Sequence, residues 1–147
     1  MDKTVWDDVD VFRTLRIMRD FSNRYAYDLR NLPEQITLGQ FYRFVCELPY
    51  DSDEDAIGEI IRRPGITMET GGDCDDKAVL IAAFCNRYLR TEIAEHFFKC
   101  ADYGSGLEHV YNQIHFRDGS KLILDATYSE NKFGFEEPYK ESILCPI

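Results

Sequence analysis

Thr70-Gly71-Gly72-Asp73-Cys74-Asp75-Asp76-Lys77-Ala78-Val79-Leu80-Ile81 reads as a glycine turn, a single cysteine and the start of a helix. Asp75 and Asp76 fall in the first turn, where acidic side chains suit the positive end of the helix dipole. Val79, Leu80, Ala82, Ala83, Phe84 and Leu89 make the helix apolar nearly all round, which predicts a buried element. A thiol at a helix N-terminus feels partial positive charge that favours the nucleophilic thiolate. The adjacent glycines let the backbone approach closely and are expected to free its N–H groups for an oxyanion. The aspartates beside Cys74 oppose thiolate formation, so a nucleophilic role requires a base nearby. Calcium-loop spacing with its glycine is absent, which leaves Asp73, Asp75 and Asp76 helix capping and ion pairing as roles.

Downstream, residues 91–101 are rich in β-formers and aromatics, among them Ile93, Phe97 and Phe98, and predict a strand. Tyr103-Gly104-Ser105-Gly106 is a loop directly before His109, either an ordinary connection or a gate over a site. His109–Phe116 and Lys121–Tyr128 then alternate around Arg117-Asp118-Gly119-Ser120, the pattern of a hairpin. Parity decides its loop length. A two-residue Asp118-Gly119 loop would set Asn112 opposite Asp125 and put His109 on the apolar face. A three-residue Arg117–Gly119 loop sets Phe116 opposite Ser120, with Gly119 in the left-handed position. Val110, Ile114, Phe116, Leu122, Leu124 and Ala126 then share one face, and His109, Tyr111, Gln113, Asp125 and Thr127 the other. A one-residue slip moves every side chain to the wrong side, so burial selects the second register. Asp125 then lies opposite Tyr111 and diagonal to His109, at roughly 7–8 Å between backbones, a gap that imidazole and carboxylate can bridge. His115 shares the face of His109 but lies nearer the turn, which makes it the second choice as a base. His96 is read as a strand or surface histidine.

Upstream, Val11, Phe12, Leu15, Met18, Ser22 and Tyr25 recur at helical steps and predict a helix from Asp8 to Leu29, with Arg13, Arg16 and Arg19 on a solvated face. A second helix is expected over Leu38–Glu47, burying Phe41, Phe44 and Val45, with Leu48 packed beyond it and Pro49 as the stop. A short helix carrying Ala56, Ile57, Ile60 and Ile61 should follow, closed by Arg62-Arg63-Pro64-Gly65, with Ile66–Glu69 leading into the glycine turn. From Ser129 onward the chain reads as a packed irregular tail, with Cys145 exposed near its end.

At 147 residues the chain suggests one domain, with a helical part at about 1–65, a core at about 66–130 and a tail at 131–147. The net charge of −10 argues against a nucleic-acid binder, which needs a basic surface. The five cysteines, Cys46, Cys74, Cys85, Cys100 and Cys145, are odd in number and lack C-x-x-C spacing, which fits neither a disulfide framework nor a zinc site. Cys46 and Cys85 belong to apolar helical patterns and read as core. Reduced thiols point to the cytoplasm, or to a particle assembled there. The first residues carry no apolar signal region, and no stretch is long enough to span a membrane. No cofactor, metal or membrane partner is expected.

Gly72-Asp73-Cys74-Asp75-Asp76-Lys77-Ala78, then His109-Val110-Tyr111, then Leu124-Asp125-Ala126-Thr127-Tyr128 resembles the three-part signature of the transglutaminase-like superfamily. The resemblance covers roughly Leu48 to Tyr128. It implies a papain-like Cys–His–Asp triad, with Cys74 as nucleophile, His109 as base and Asp125 as orienter. Many members carry Trp where Tyr111 stands, Glu where Gln113 stands and Pro where Ala126 stands, departures that bear on substrate rather than on the triad. The compact form also looks like uncharacterised transglutaminase-like proteins of bacteria and their phages.

The expected fold is therefore α+β and papain/transglutaminase-like, with N-terminal helices and the nucleophile helix packed on an antiparallel sheet. The expected function is thiol-dependent chemistry on an amide or peptide bond of a protein or peptide substrate. Hydrolysis is favoured over acyl transfer because no amine-binding feature is visible. The Cys74 N–H would serve an oxyanion; Gln40 and Gln113 are guesses for the second donor. The alternative is a structural or assembly protein, such as a phage particle component, that keeps the fold without turnover. Access to Cys74 discriminates the two.

Overall fold

Each of the later helices begins on a group that satisfies its first N–H donors. The computed structural model describes residues 8–52 and 61–147, with side chains from Val11 onward in the first segment. Helix α1 (Asp8–Arg24) is followed by a 3-10 turn (Ala26–Leu29), then α2 (Leu38–Glu47), α3 (Pro64–Thr70) and α4 (Cys74–Tyr88). In α2, Thr37 accepts from the Gln40 N–H and Gln40 accepts from the Thr37 N–H, a reciprocal capping box. Asp73 and Asp76 form the same box at α4.

The first helix is shorter than its periodicity predicts. It ends at Arg24, and the chain tightens so that Asp28 reaches Arg63 and accepts from the Gly65 N–H at 2.9 Å. That carboxylate caps α3, a helix where the sequence reading placed only a stop and a lead-in. Pro64 is its first residue, a place where a missing N–H loses nothing. The expected helix around Ala56 and Ile57 lies outside the described residues. In α1, Val11, Leu15, Met18 and Ser22 are buried while Phe12 faces solvent, and in α2 it is Tyr42 and not Phe44 that turns inward.

The strands β1 (Ile93–Asp102), β2 (Leu107–Phe116), β3 (Lys121–Leu124) and β4 (Glu141–Pro146) form one antiparallel sheet in the order β3-β2-β1-β4. The hairpin has the register that burial selects: Ile114 pairs with Leu122, the Phe116 N–H donates to Ser120 at 2.9 Å, and Gly119 has φ +92°. Two expectations need correction. β3 stops at Leu124 rather than running to Tyr128, because the Thr127 N–H turns back onto the Asp125 carboxylate. The tail is not wholly irregular either, since β4 pairs along β1 from Phe97 to Asp102. Cys145, expected to be exposed, is half-buried.

Helix α4 lies across one face of the sheet, as expected of an α+β fold. Its Ala78, Val79 and Ala82 pack with Phe98, Cys100, Val110 and α1; Leu80, Ile81 and Phe84 pack with Ile114, Leu124 and α2. Phe84 stacks on Phe41 with ring centroids 4.4 Å apart. At about 25 cal/mol per Å2 of apolar area, such rings contribute roughly 1.5–3 kcal/mol each. The opposite face is covered by the segment between β3 and β4. Among the described residues, no helix is long and apolar enough to cross a membrane.

Candidate active site

The glycine turn is built for close approach. A Cβ on Gly71 would sit 2.1 Å from the Pro49 carbonyl oxygen, and Gly71 has φ +79°, so a side chain is barred on both counts. The Gly72 N–H donates to Pro49 and the Gly72 carbonyl accepts from Asp51, which ties the Pro49–Asp51 segment beside the start of α4 and brings Tyr50 there. The Gly71 N–H donates to Thr67. Both glycine donors are thus committed to the backbone, and the expectation that they serve an oxyanion is not met.

Beyond the turn, Asp73 accepts from the N–H groups of Asp75 and Asp76. Asp76 accepts from the N–H groups of Asp73 and Arg62 and lies 3.9 Å from the Arg62 guanidinium. The capping and ion-pairing roles read for these two aspartates hold. Burial first, then the charge of Asp73, pushes the Asp76 carboxyl up to about 8. The third aspartate, Asp75, is buried, and the Cys74 Sγ lies 3.5 Å from its Oδ1. Lys77 is buried as well, its Nζ donating to the carbonyls of Leu48 and Thr127 at 2.8 and 2.9 Å. One side chain therefore joins α4, the end of α2 and the segment after β3 that carries Asp125.

His109 on β2 meets Asp125 across the hairpin, with Nε2 2.7 Å from Oδ2. The second carboxylate oxygen accepts from the Thr127 hydroxyl at 2.7 Å and from the Thr127 N–H at 3.2 Å. Burial raises the Asp125 carboxyl, but His109 and Thr127 outweigh it and hold the group below the usual carboxylate range. The backbone around Asp125 is fixed too, because its carbonyl accepts from the Tyr42 hydroxyl at 2.9 Å and from Asn131 at 3.1 Å. With Asp125 as acceptor, the proton on His109 sits at Nε2 and the lone pair at Nδ1. The imidazole ring lies parallel to that of Tyr128, with centroids 6.4 Å apart, and has Tyr103 and Tyr111 on its flanks.

Cys74, His109 and Asp125 line the same cleft, about 340 Å3 in volume. Tyr50, Tyr103, Tyr128 and Phe135 form its aromatic walls, and Glu108 and Glu137 its acidic rim. Tyr103 belongs to the loop read as either an ordinary connection or a gate. The other sequence candidates fall elsewhere. His115 contacts Gln113 and Glu95, His96 bonds Asn112, and Gln40 caps α2, so neither glutamine belongs to the cleft. Tyr42, Asn131 and Tyr50 escaped the sequence reading, and Tyr128 entered it only as the last residue of the Leu124–Tyr128 string, with no role assigned.

A second cleft, about 410 Å3, lies over the C-terminal half of α4 and holds Cys85 and His96. Burial pushes the Cys85 thiol up to about 12 and the His96 imidazole down to about 4, so neither group is set for nucleophilic or base chemistry near neutrality. Among the described residues, no group of three or more histidine, cysteine or carboxylate side chains converges to hold a metal ion.

No family model and no curated protein matches the sequence. Among solved structures, the chain is similar to calcium-bound LapG of Legionella pneumophila, at 19% identity and a TM-score of 0.45, over 90% of this chain and 74% of that one.

Proposed function

We propose that the protein is a cysteine-dependent enzyme that cleaves amide or peptide bonds through an acyl-thioester. The observation that carries this reading is the convergence of a helix-N-terminal thiol and a carboxylate-oriented imidazole, Cys74 and His109–Asp125, on one cleft. Cys74 would be the nucleophile. His109 would take the thiol proton at Nδ1, and Asp125 would hold the ring and stabilise the imidazolium. The thiolate then adds to the carbonyl carbon. The tetrahedral oxyanion would accept a hydrogen bond from the Cys74 N–H at the start of α4. Collapse breaks the C–N bond, and the His109 proton goes to the departing amine. Water, deprotonated by His109, attacks the thioester and returns the thiol with release of the acid.

Hydrolysis is preferred to transfer because it is the simpler reaction, needing no acceptor but water. A scaffold role would suit a buried thiol without a cleft. Cys74 is only 6% exposed, yet it lines an open one, which supports the enzyme reading.

The test is the rate of alkylation of each cysteine by iodoacetamide across pH, followed by peptide mapping. A thiolate–imidazolium pair makes Cys74 react well below the unperturbed thiol pKa of about 8.5. His109→Ala abolishes that low-pH reactivity. If Cys74 reacts no faster than the other cysteines and ignores the loss of His109, the resting pair does not exist.

A further inference from the structure

The cleft has a chemical bias of its own. Among its described lining residues there is no lysine and no arginine, while Glu108 on β2 and Glu137 on the segment after β3 both line it. Glu108 accepts from the Ser105 hydroxyl at 2.7 Å, which fixes its carboxylate beside the Tyr103 loop. Glu137 is exposed and makes no hydrogen bond or ion pair among the described residues. His109 is taken up by Asp125, so counter-charge for these two glutamates would come from outside the chain.

The walls fit the same ligand. Tyr50 and Tyr128 stack at 5.6 Å, 21° from parallel, and remain 50% and 45% exposed, so aromatic surface lines the cleft. Aromatic faces attract cations and cover the apolar stems of long basic side chains. The net charge of −10 adds a long-range field of the same sign. An anionic peptide would meet two carboxylates and gain nothing from the rings.

We propose that this cleft selects polypeptides with a lysine or arginine side chain beside the bond to be cleaved, Glu108 and Glu137 supplying the counter-charge and the tyrosine rings the bed for its stem. The proposal rests on the reading of the cleft as the reacting site, so its test separates binding from chemistry.

Binding is measured on Cys74→Ala by fluorescence anisotropy. The probes are blocked peptides of one background carrying Lys, Arg, Gln or Glu at each position in turn. At one position Lys and Arg should bind about tenfold more tightly than Glu, a margin expected of two partly screened charge contacts, and added salt should shrink it. Arg matching Lys shows that the side chain is recognised as a cation and not consumed as an amine. Glu108→Gln with Glu137→Gln should bring Lys and Glu peptides within about twofold, whereas the same charge change at the start of β1, outside the lining of the cleft, Glu92→Gln with Glu95→Gln, should preserve the margin. Equal binding of Lys and Glu peptides, preference for Glu, or a margin that survives loss of Glu108 and Glu137 overturns the proposal. The iodoacetamide experiment on wild type reports separately. His109-dependent reactivity without charge preference sinks the specificity alone; charge preference without such reactivity sinks the reaction and leaves a cationic-peptide binding cleft.

Discussion

Asp125 is gripped at three oxygens, two on its carboxylate and one on its backbone, and the charge of the site depends on that grip. The pairing with His109 was legible from sequence because hairpin parity and apolar burial allow one register, and that register sets the two residues on a diagonal. Thr127 lay on the same face, but its turn back onto Asp125 breaks the strand pattern and has no periodic signal. Tyr42 was illegible for another reason: its hydroxyl reaches Asp125 from 83 residues upstream. Thr127 also supplies a test of charge. The carboxyl of Asp125 lies below its unfolded value, so it adds stability that is present above about pH 4 and lost as pH falls through the folded value. Thr127→Val removes one donor and lets the folded value rise toward the ordinary one. The variant should be less stable at neutral pH by about 1 kcal/mol, and the gap from wild type should close on acidification. Urea unfolding midpoints between acid and neutral pH measure this, and a gap independent of pH would mean that Thr127 acts through packing alone.

The two kinds of helix start explain what could be read and what could not. For α4 and α2 the capping groups are neighbours in sequence, Asp73 with Asp76 and Thr37 with Gln40, and both helices were read from the acidic first turn or the apolar spacing beside them. The start of α3 depends on Asp28, which is 37 residues from the Gly65 N–H it caps, and Pro-Gly by itself punctuates an end as readily as a beginning. The price of the α4 cap is a buried acid. Asp76 is fully buried and its folded value is raised to about 8, by desolvation first and Asp73 second, against an unfolded value near 4. A raised carboxyl contributes stability that is complete below the unfolded value and is lost as pH climbs to the folded one. Wild type should therefore weaken between about pH 4 and pH 8, and Asp76→Asn, which does not titrate, should flatten that slope. Parallel pH profiles of the two proteins in urea would show instead that Asp76 is ionised throughout and held by Arg62 and the two N–H donors.

At the scale of the whole molecule, the sheet is covered on both sides, and that is where the sequence reading stopped short. Alternation along β2 implied one covered face, yet Val110 to Ile114 are buried without interruption. The second cover comes from the segment that leads to β4, whose short, weakly alternating strand ending at Pro146 gave no strand signal. The cover is held by charge. Glu136 accepts from the Tyr111 hydroxyl at 2.6 Å and pairs with Lys99 at 2.7 Å, and Lys99 also donates to Tyr139 at 3.0 Å. Burial opposes the charge on Lys99, but Glu136 and Tyr139 outweigh it and keep the ammonium above its ordinary range. Because Lys99 is 5% exposed, removing its partner strands a charge beneath the segment. Glu136→Ala should lower stability by about 3–5 kcal/mol, whereas Lys99→Met combined with Glu136→Gln should recover much of that loss. Double-mutant cycles from urea unfolding measure the coupling, and additivity of the single changes would show that the pair contributes nothing. The same variants reach the cleft. Phe135 and Glu137 flank Glu136 and line the cleft, so loosening the latch should weaken binding of a lysine-bearing peptide while leaving the iodoacetamide reactivity of Cys74, which α4 positions, close to wild type. Loss of both together would place the latch in the support of the His109–Asp125 pair and not of the wall alone.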